Sequence, residues 1–355
     1  MKLRIAQVGS LYENTPPPLY GGTERIVSSL TEGLVAKGHD VTLFATEKAI
    51  TKARLVSACP EPLARLGIGK SDIIYPLLNF TNVFKREKDF DIIHFHLSIV
   101  SDYMSLPPAS LIAHKTVFTI HFVSPSAKKY PQRMELLEKH NNLNYISISH
   151  AAQLGFGKLK FLDTVYNGIN LSEFTFNSTP KDYYVWMGKF NPDKGTLEAI
   201  LAAKKANIKL ILAGTIDLED EVKRKYYEND IRPLIDGKQI IYVGEKGGKE
   251  KDELLGNALG FLNPILWNEP FGLVSIEAMA TGTPVISFSR GALTETVKDS
   301  YTGYLVENVD EMAEKIKQIS AIRRTDCRKW VEDKFSSEIM VTNYENVYQK
   351  ILNKP

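Results

Sequence analysis

Cysteine is scarce in this chain: Cys59 and Cys327 are the only two among 355 residues, and no C-x-x-C pair occurs. That excludes a disulfide scaffold and a cysteine-based structural zinc site, and it fits a reducing compartment. An excess of one charge is also missing, since 44 basic residues face 42 acidic ones for a formal net charge of +2. A nucleic-acid partner is therefore not expected. No apolar run approaches the roughly 18 residues of a membrane span. "MKLRIAQVGS" enters a strand pattern directly, without the apolar stretch and cleavage site of a signal peptide. These absences together predict a cytoplasmic protein. The one local basic excess, Lys128, Lys129 and Arg133 in "SPSAKKYPQR", reads as a solvated face, with peripheral membrane contact as the weaker alternative. No G-x-G-x-x-G is present, which argues against a dinucleotide oxidoreductase. The nearest phosphate-loop lookalike, "ARLGIGKS" (64–71), has Ala64 for the first glycine, two prolines ahead of it and an extended-looking "DIIYP" behind it. It reads as coincidence.

The length suits two domains. "LRIAQVG", "DVTLFAT", "FDIIHFH", "TVFTIHF" and "NYISIS" are apolar strand patterns. Among them lies an amphipathic helix, "GTERIVSSLTEGLVAKG", with Ile26, Leu30 and Leu34 on one face and Gly38 as its stop. The alternation restarts with "DYYVWMGKF", "IKLILAG", "QIIYVG", "ALGFLNPI" and "TPVISFS". Apolar strands alternating with helices imply parallel sheets covered on both faces. The polar, turn-rich "YNGINLSEFTFNSTPKD" (166–182) is a candidate hinge between two Rossmann-like α/β domains.

The chemistry concentrates in "NEPFGLVSIEAMATGTPVISF" (268–288), where Glu269 precedes a loop-to-helix junction and Glu277 lies inside the helix. A helix starting after Phe271-Gly272-Leu273 offers unpaired backbone N–H groups, which favour a diphosphate. Gly272 permits close approach to the backbone. Glu277 falls about 8 Å further along the helix, a reach that suits two ribose hydroxyls. Glu269, on the other side, is placed for the hydroxyls of a transferred sugar. A nucleotide sugar thus accounts for both acids.

"EPFGLVSIEAMATGTPVI" resembles the E-x7-E signature of the retaining glycosyltransferases of family 4, and the resemblance runs along nearly the whole chain. It implies the GT-B fold: two Rossmann-like domains facing across a cleft, with the C-terminal helix crossing back to the first. The expected domains are 1–168 plus 335–355 for the acceptor and 169–334 for the donor. Gly21 and Gly22 in "YGGTE" resemble the glycine-rich loop under donor and acceptor, and a Gly-Gly before a helix is also a source of free N–H donors. His121, closing "TIH", resembles the histidine that contacts the donor sugar. His94 and His96 of "HFH" share one strand face; they lack a third metal ligand, and at least one is expected to line the acceptor cleft. In "MGKFNPDKG", Lys194 matches the lysine that neutralises the donor diphosphate. Lys189 stands where the family usually has Arg, keeping the charge but losing the bidentate fork. Asn170 in "YNGIN" replaces an Asp, keeping the turn chemistry without the charge.

The implied activity is glycosyl transfer with retention from a nucleoside-diphosphate sugar, a UDP-sugar being the expected donor, to a small-molecule, glycan or lipid-linked acceptor. His121, Glu269, Lys194 and Lys189 are the candidate catalytic residues. Gly21, Gly22, Glu277, Phe271, Gly272 and Leu273 are the candidate donor-binding set. No metal and no cofactor are expected. Two rivals stand beside this reading: a nucleotide-sugar epimerase on the same architecture, and a nucleotide-sugar-binding protein without catalysis. "SSEIMVTNYENVYQKIL" spaces Met340, Tyr344, Val347 and Ile351 as one apolar helix stripe, which the resemblance places on the first domain.

Overall fold

The computed structural model describes residues 2–19, 21–124 and 130–353. Lys128 and Lys129 of the basic cluster and Tyr20 of the glycine-rich loop lie outside them. The chain forms two compact units, Met1–Gly168 with Ser337–Pro355, and Ile169–Ser336.

The first unit holds seven strands: β1 (Arg4–Val8), β2 (Asp40–Ala45), β3 (Arg54–Ser57), β4 (Ile92–Leu97), β5 (Thr116–Ile120), β6 (Asn144–Ser147) and β7 (Phe161–Thr164). All are parallel, in the order β3-β2-β1-β4-β5-β6-β7. One sheet face carries an apolar cluster that includes Val8, Phe44, Phe95 and Phe118. The opposite face is polar at its centre, where Gln7 pairs in register with His94, and His96 with Thr119, all buried. The C-terminal helix, Ser337–Leu352, belongs to this unit and buries Met340, Val341, Tyr344, Val347, Tyr348 and Ile351. It packs beside the helix Gly22–Ala36, where a Cβ on Gly33 would come within 2.4 Å of Val341 Cγ2. Ion pairs tie the C-terminal helix to the rest of the unit, Glu345 to Lys37 after the helix Gly22–Ala36 and Lys350 to Asp163 on β7.

The second unit has β8 (Tyr184–Met187), β9 (Leu210–Ala213), β10 (Ile240–Tyr242), β11 (Gly260–Asn263), β12 (Val285–Phe288) and β13 (Gly303–Val306), parallel in the order β10-β9-β8-β11-β12-β13. The boundary falls after Ser336, two residues beyond the expected one. Phe335 is held in the second unit by Phe271 and Trp330, with ring centres 5.9 and 6.1 Å away, and its carbonyl accepts the Ile169 N–H at 2.9 Å.

Three strands escape the sequence reading: β3, β7 and β13, each four residues long and at a sheet edge. Edge strands cover less apolar surface, so β3 and β7 lack the continuous hydrophobic run of the central ones. "DIIYP" is not extended. A helix begins at Ile74, tolerates Pro76 in its first turn, and receives a cap where Asp72 Oδ2 accepts the Tyr75 N–H at 3.3 Å. The "ARLGIGKS" segment forms turns and joins no strand to a helix in phosphate-loop fashion.

Candidate active site

In an open parallel sheet, ligands favour the carboxyl ends of strands where the order reverses. In the second unit that point lies between β8 and β11, which are neighbours in the sheet. The segment after β8 carries Gly188, Lys189 and Lys194, and the segment after β11 carries Glu269.

These two segments are tied together. Trp186 Nε1 donates to the Lys194 carbonyl at 3.1 Å, and the Leu266 N–H donates to the Asp193 carbonyl at 2.9 Å. Gly195, at φ 68°, lies so close that a Cβ there would be 1.8 Å from the Pro264 carbonyl oxygen. Only glycine fits both the dihedral and the approach. As a result Lys194 Nζ reaches Glu269 Oε2 at 2.9 Å, with the ammonium 4.9 Å from the centre of the Trp267 ring. The indole N–H of Trp267 finds no acceptor among the described residues. Glu269 is fixed from behind by its carbonyl, which accepts the Ala292 N–H at 2.8 Å. Gly291, at φ 54°, leaves the room for this, because a Cβ there would lie 2.4 Å from that same carbonyl oxygen.

The helix Leu273–Ala280 is preceded by Gly272 in the left-handed conformation, at φ 86°. No hydrogen bond to the N–H of Gly272 or Leu273 is found among the described residues, as a helix start leaves them. Phe271 sits ahead of this cap, not within the helix, and its ring is buried against Phe335. Glu277 is 3% exposed, and its Oε1 meets Lys251 Nζ at 2.7 Å. Each acid of the E-x7-E string is therefore paired with its own lysine. Lys251, Trp267 and Gly291 were missed by the sequence reading. No spacing rule links Lys251 to Glu277, since the two helices meet only in the folded unit. Lys189 follows Gly188, and its carbonyl accepts the Asn191 N–H at 2.8 Å. Asn170 keeps its turn role, its Oδ1 accepting the Ser172 N–H at 3.2 Å.

In the first unit Gly21, at φ 145°, caps the helix that begins at Gly22, and a Cβ on it would lie 2.7 Å from Pro17 Cγ. Glu24 is buried in the first turn, and desolvation raises its carboxyl to about 7. The native state thus binds a proton that the unfolded chain releases above about pH 4.5. The stability this gives is full below that pH and is lost as pH rises through about 7. Glu24→Gln should remove that dependence: wild type loses about 1–2 kcal/mol between pH 6 and 8.5 that the variant keeps. Urea midpoints at the two pH values check this, and equal slopes would contradict it.

His121 follows β5, is half-buried, and faces His96, with His96 Nδ1 2.9 Å from His121 Nε2. Burial lowers His121 to about 3 and holds His94 and His96 well below their ordinary value, so all three are neutral. His94 and His96 do not line a surface. His94 is fully buried beneath the C-terminal helix, with Nδ1 2.8 Å from Tyr348 Oη and Nε2 2.7 Å from Thr119 Oγ1. His96 is 2% exposed, with Nε2 2.9 Å from Gln7 Oε1. Alternation put both on one strand face, but only the packed helix decides that this face is interior. Among the described residues no group of three or more His, Cys, Asp or Glu is arranged to hold a metal ion. No helix there is long and apolar enough to cross a membrane.

Comparison with known proteins agrees with this architecture. Residues 170–334 match the family described as Glycosyl transferases group 1, and residues 20–173 match Glycosyltransferase Family 4. An uncharacterized glycosyltransferase of Methanocaldococcus jannaschii is 24% identical, over 98% of both chains. The capsular polysaccharide biosynthesis glycosyltransferase CapM of Staphylococcus aureus is 29% identical, over 61% of this chain and 58% of that one. The crystal structure of Anabaena HepE in complex with UDP and glucose superposes with a TM-score of 0.72 at 16% identity, covering 98% of this chain and 99% of that one. The fold is that of the GT-B class, two Rossmann-like α/β domains. The chain is a glycosyltransferase.

Proposed function

We propose that the protein transfers a sugar from a nucleoside-diphosphate sugar, with retention at the anomeric carbon and without a metal ion. The observation that carries this is the double pairing in the second unit, Lys194 with Glu269 and Lys251 with Glu277, around a helix start with open N–H groups. The donor diphosphate sits at Gly272 and Leu273, where partial positive charge collects. Lys194 and Lys189 stabilise the charge that grows on the departing diphosphate, an interaction stronger in the transition state than before it. Glu277 accepts hydrogen bonds from the ribose hydroxyls, and Glu269, held by Lys194, accepts them from the transferred sugar. The acceptor hydroxyl attacks from the side the diphosphate leaves, and the departing phosphate oxygen takes its proton.

A UDP-sugar is the favoured donor, since the structural neighbour HepE was crystallised with UDP and glucose. A capsule or cell-surface glycan is the favoured acceptor class, in line with CapM. The test is thermal stabilisation by a panel of nucleotide sugars with EDTA present. A ligand at a hundred times its dissociation constant should stabilise by about 2.7 kcal/mol, which shifts the midpoint visibly. UDP-sugars should give the largest shift. A shift that appears only when manganese or magnesium is added would overturn the metal-free site.

A further inference from the structure

A surface helix ordinarily keeps its outward side polar, and the helix Ile74–Phe84 of the first unit does not. Its inner side buries Pro76, Asn79, Phe80 and Val83, the last two within the apolar cluster on the sheet. At about 3.6 residues per turn, Ile74, Leu77, Leu78, Thr81 and Lys85 all fall on the opposite side. Ile74, Leu77 and Leu78, with Ile73 just ahead of the helix, are each 40–58% exposed. Large apolar side chains exposed singly are ordinary, but four together within two turns form a patch. The helix itself holds no charged residue. Charge begins at its C-terminal end, where Lys85, in line with the apolar stripe, is followed by Arg86 and Lys88, all exposed. Of the neighbouring acids, Glu87 is taken up by Lys115, and Asp72 caps the start of the helix. Three exposed cations therefore stand against one exposed acid, Asp89.

We propose that this side of the first unit lies on an anionic phospholipid surface. Ile73, Ile74, Leu77 and Leu78 enter the boundary of the acyl chains, while Lys85 and Arg86 meet headgroup phosphates. At about 16 Å the helix is too short to span a bilayer, and its length suits a position in the plane of the interface. The charge decides between occupants. A second copy of this chain would bring the same excess of cations to the contact. A bilayer containing anionic lipid supplies an apolar layer for the leucines and isoleucines and counter-charge for the basic end at once. The contact is made within one unit and needs no sugar donor, so it stands apart from the reading of the second unit.

The experiment is co-sedimentation of the full chain with vesicles of phosphatidylcholine alone and of phosphatidylcholine mixed with phosphatidylglycerol. Binding should require the anionic lipid and weaken as salt rises. Leu77→Gln with Leu78→Gln puts good helix formers on an exposed side, and should weaken binding about tenfold or more. Lys85→Gln with Arg86→Gln should weaken it about thirtyfold, the usual contribution of two cations near an anionic surface. Lys225→Gln with Lys329→Gln, exposed on the second unit, should leave it unchanged. Cys59 and Cys327 are buried, so an environment-sensitive thiol dye labels Leu78→Cys selectively. Its emission should shift to the blue on the mixed vesicles. If the leucine variant fails to fold by circular dichroism, the cation variant and the dye supply the answer. No sedimentation with the mixed vesicles, equal sedimentation with both kinds, or a dye that stays in water on bound protein overturns the proposal. So does a dimer in solution that the leucine variant dissociates, which would assign the stripe to a second copy.

Discussion

Truncation after Ser336 is expected to unfold the first unit while the second keeps its structure. The removed helix buries six large side chains, Met340, Val341, Tyr344, Val347, Tyr348 and Ile351. Each contributes about 1.5–3 kcal/mol on burial, so the sum rivals or exceeds the 5–15 kcal/mol that holds a whole domain together. The cut also strips hydrogen-bond partners from Gln7, His94 and Thr119, all buried within the sheet. Leaving such groups unsatisfied adds about 1–3 kcal/mol apiece. Cutting at Ser336 and not earlier matters, because Phe335 packs on Phe271 and its loss would damage the second unit as well. Hydrogen exchange on the truncated protein should show protection lost in 2–168 and retained in 169–336. Loss confined to 169–336 would contradict the placement of the helix.

Glu277→Ala is expected to hurt twice, and a second substitution separates the two effects. Glu277 and Lys251 form a pair whose side chains are 4% and 12% exposed. Removing one partner of a buried pair leaves the other charge uncompensated and costs about 3–5 kcal/mol. Lost ribose contacts should separately weaken UDP binding tenfold or more, at about 1.5–3 kcal/mol for hydrogen bonds to a charged group. Adding Lys251→Met removes the stranded ammonium while keeping the side chain's apolar bulk. The double variant should therefore recover most of the stability and none of the UDP affinity. Calorimetry and UDP titration read the two quantities independently. UDP binding that returns with stability would mean that Glu277 is a structural partner of Lys251 and does not meet the ribose.

The site was legible where its residues are close in sequence. Glu269, Gly272 and Glu277 sit on one loop-to-helix junction, so the helix period alone relates them. Lys194 could be named but not paired, because its contact with Glu269 depends on the close approach of Gly195 to Pro264. Lys251 carried no local signal: Lys249 stands two residues away on the same helix, Gly248–Gly256, and only the fold singles Lys251 out. The histidines show the same limit in reverse. Alternation correctly put His94 and His96 on one face, yet that face became interior because Tyr344 and Tyr348, some 250 residues away in sequence, cover it. Central strands were read from their apolar runs, and the edge strands β3 and β7 were not, because they are short and only partly buried.

The central claim is that lysines and helix amides stand in for a metal at the donor diphosphate. It is tested most directly by the rate at which UDP is released from the UDP-sugar that stabilises the protein most, measured with its acceptor in EDTA. The account predicts a rate that EDTA leaves unchanged and that Lys194→Met lowers sharply. A rate abolished by EDTA and restored by manganese or magnesium would contradict it.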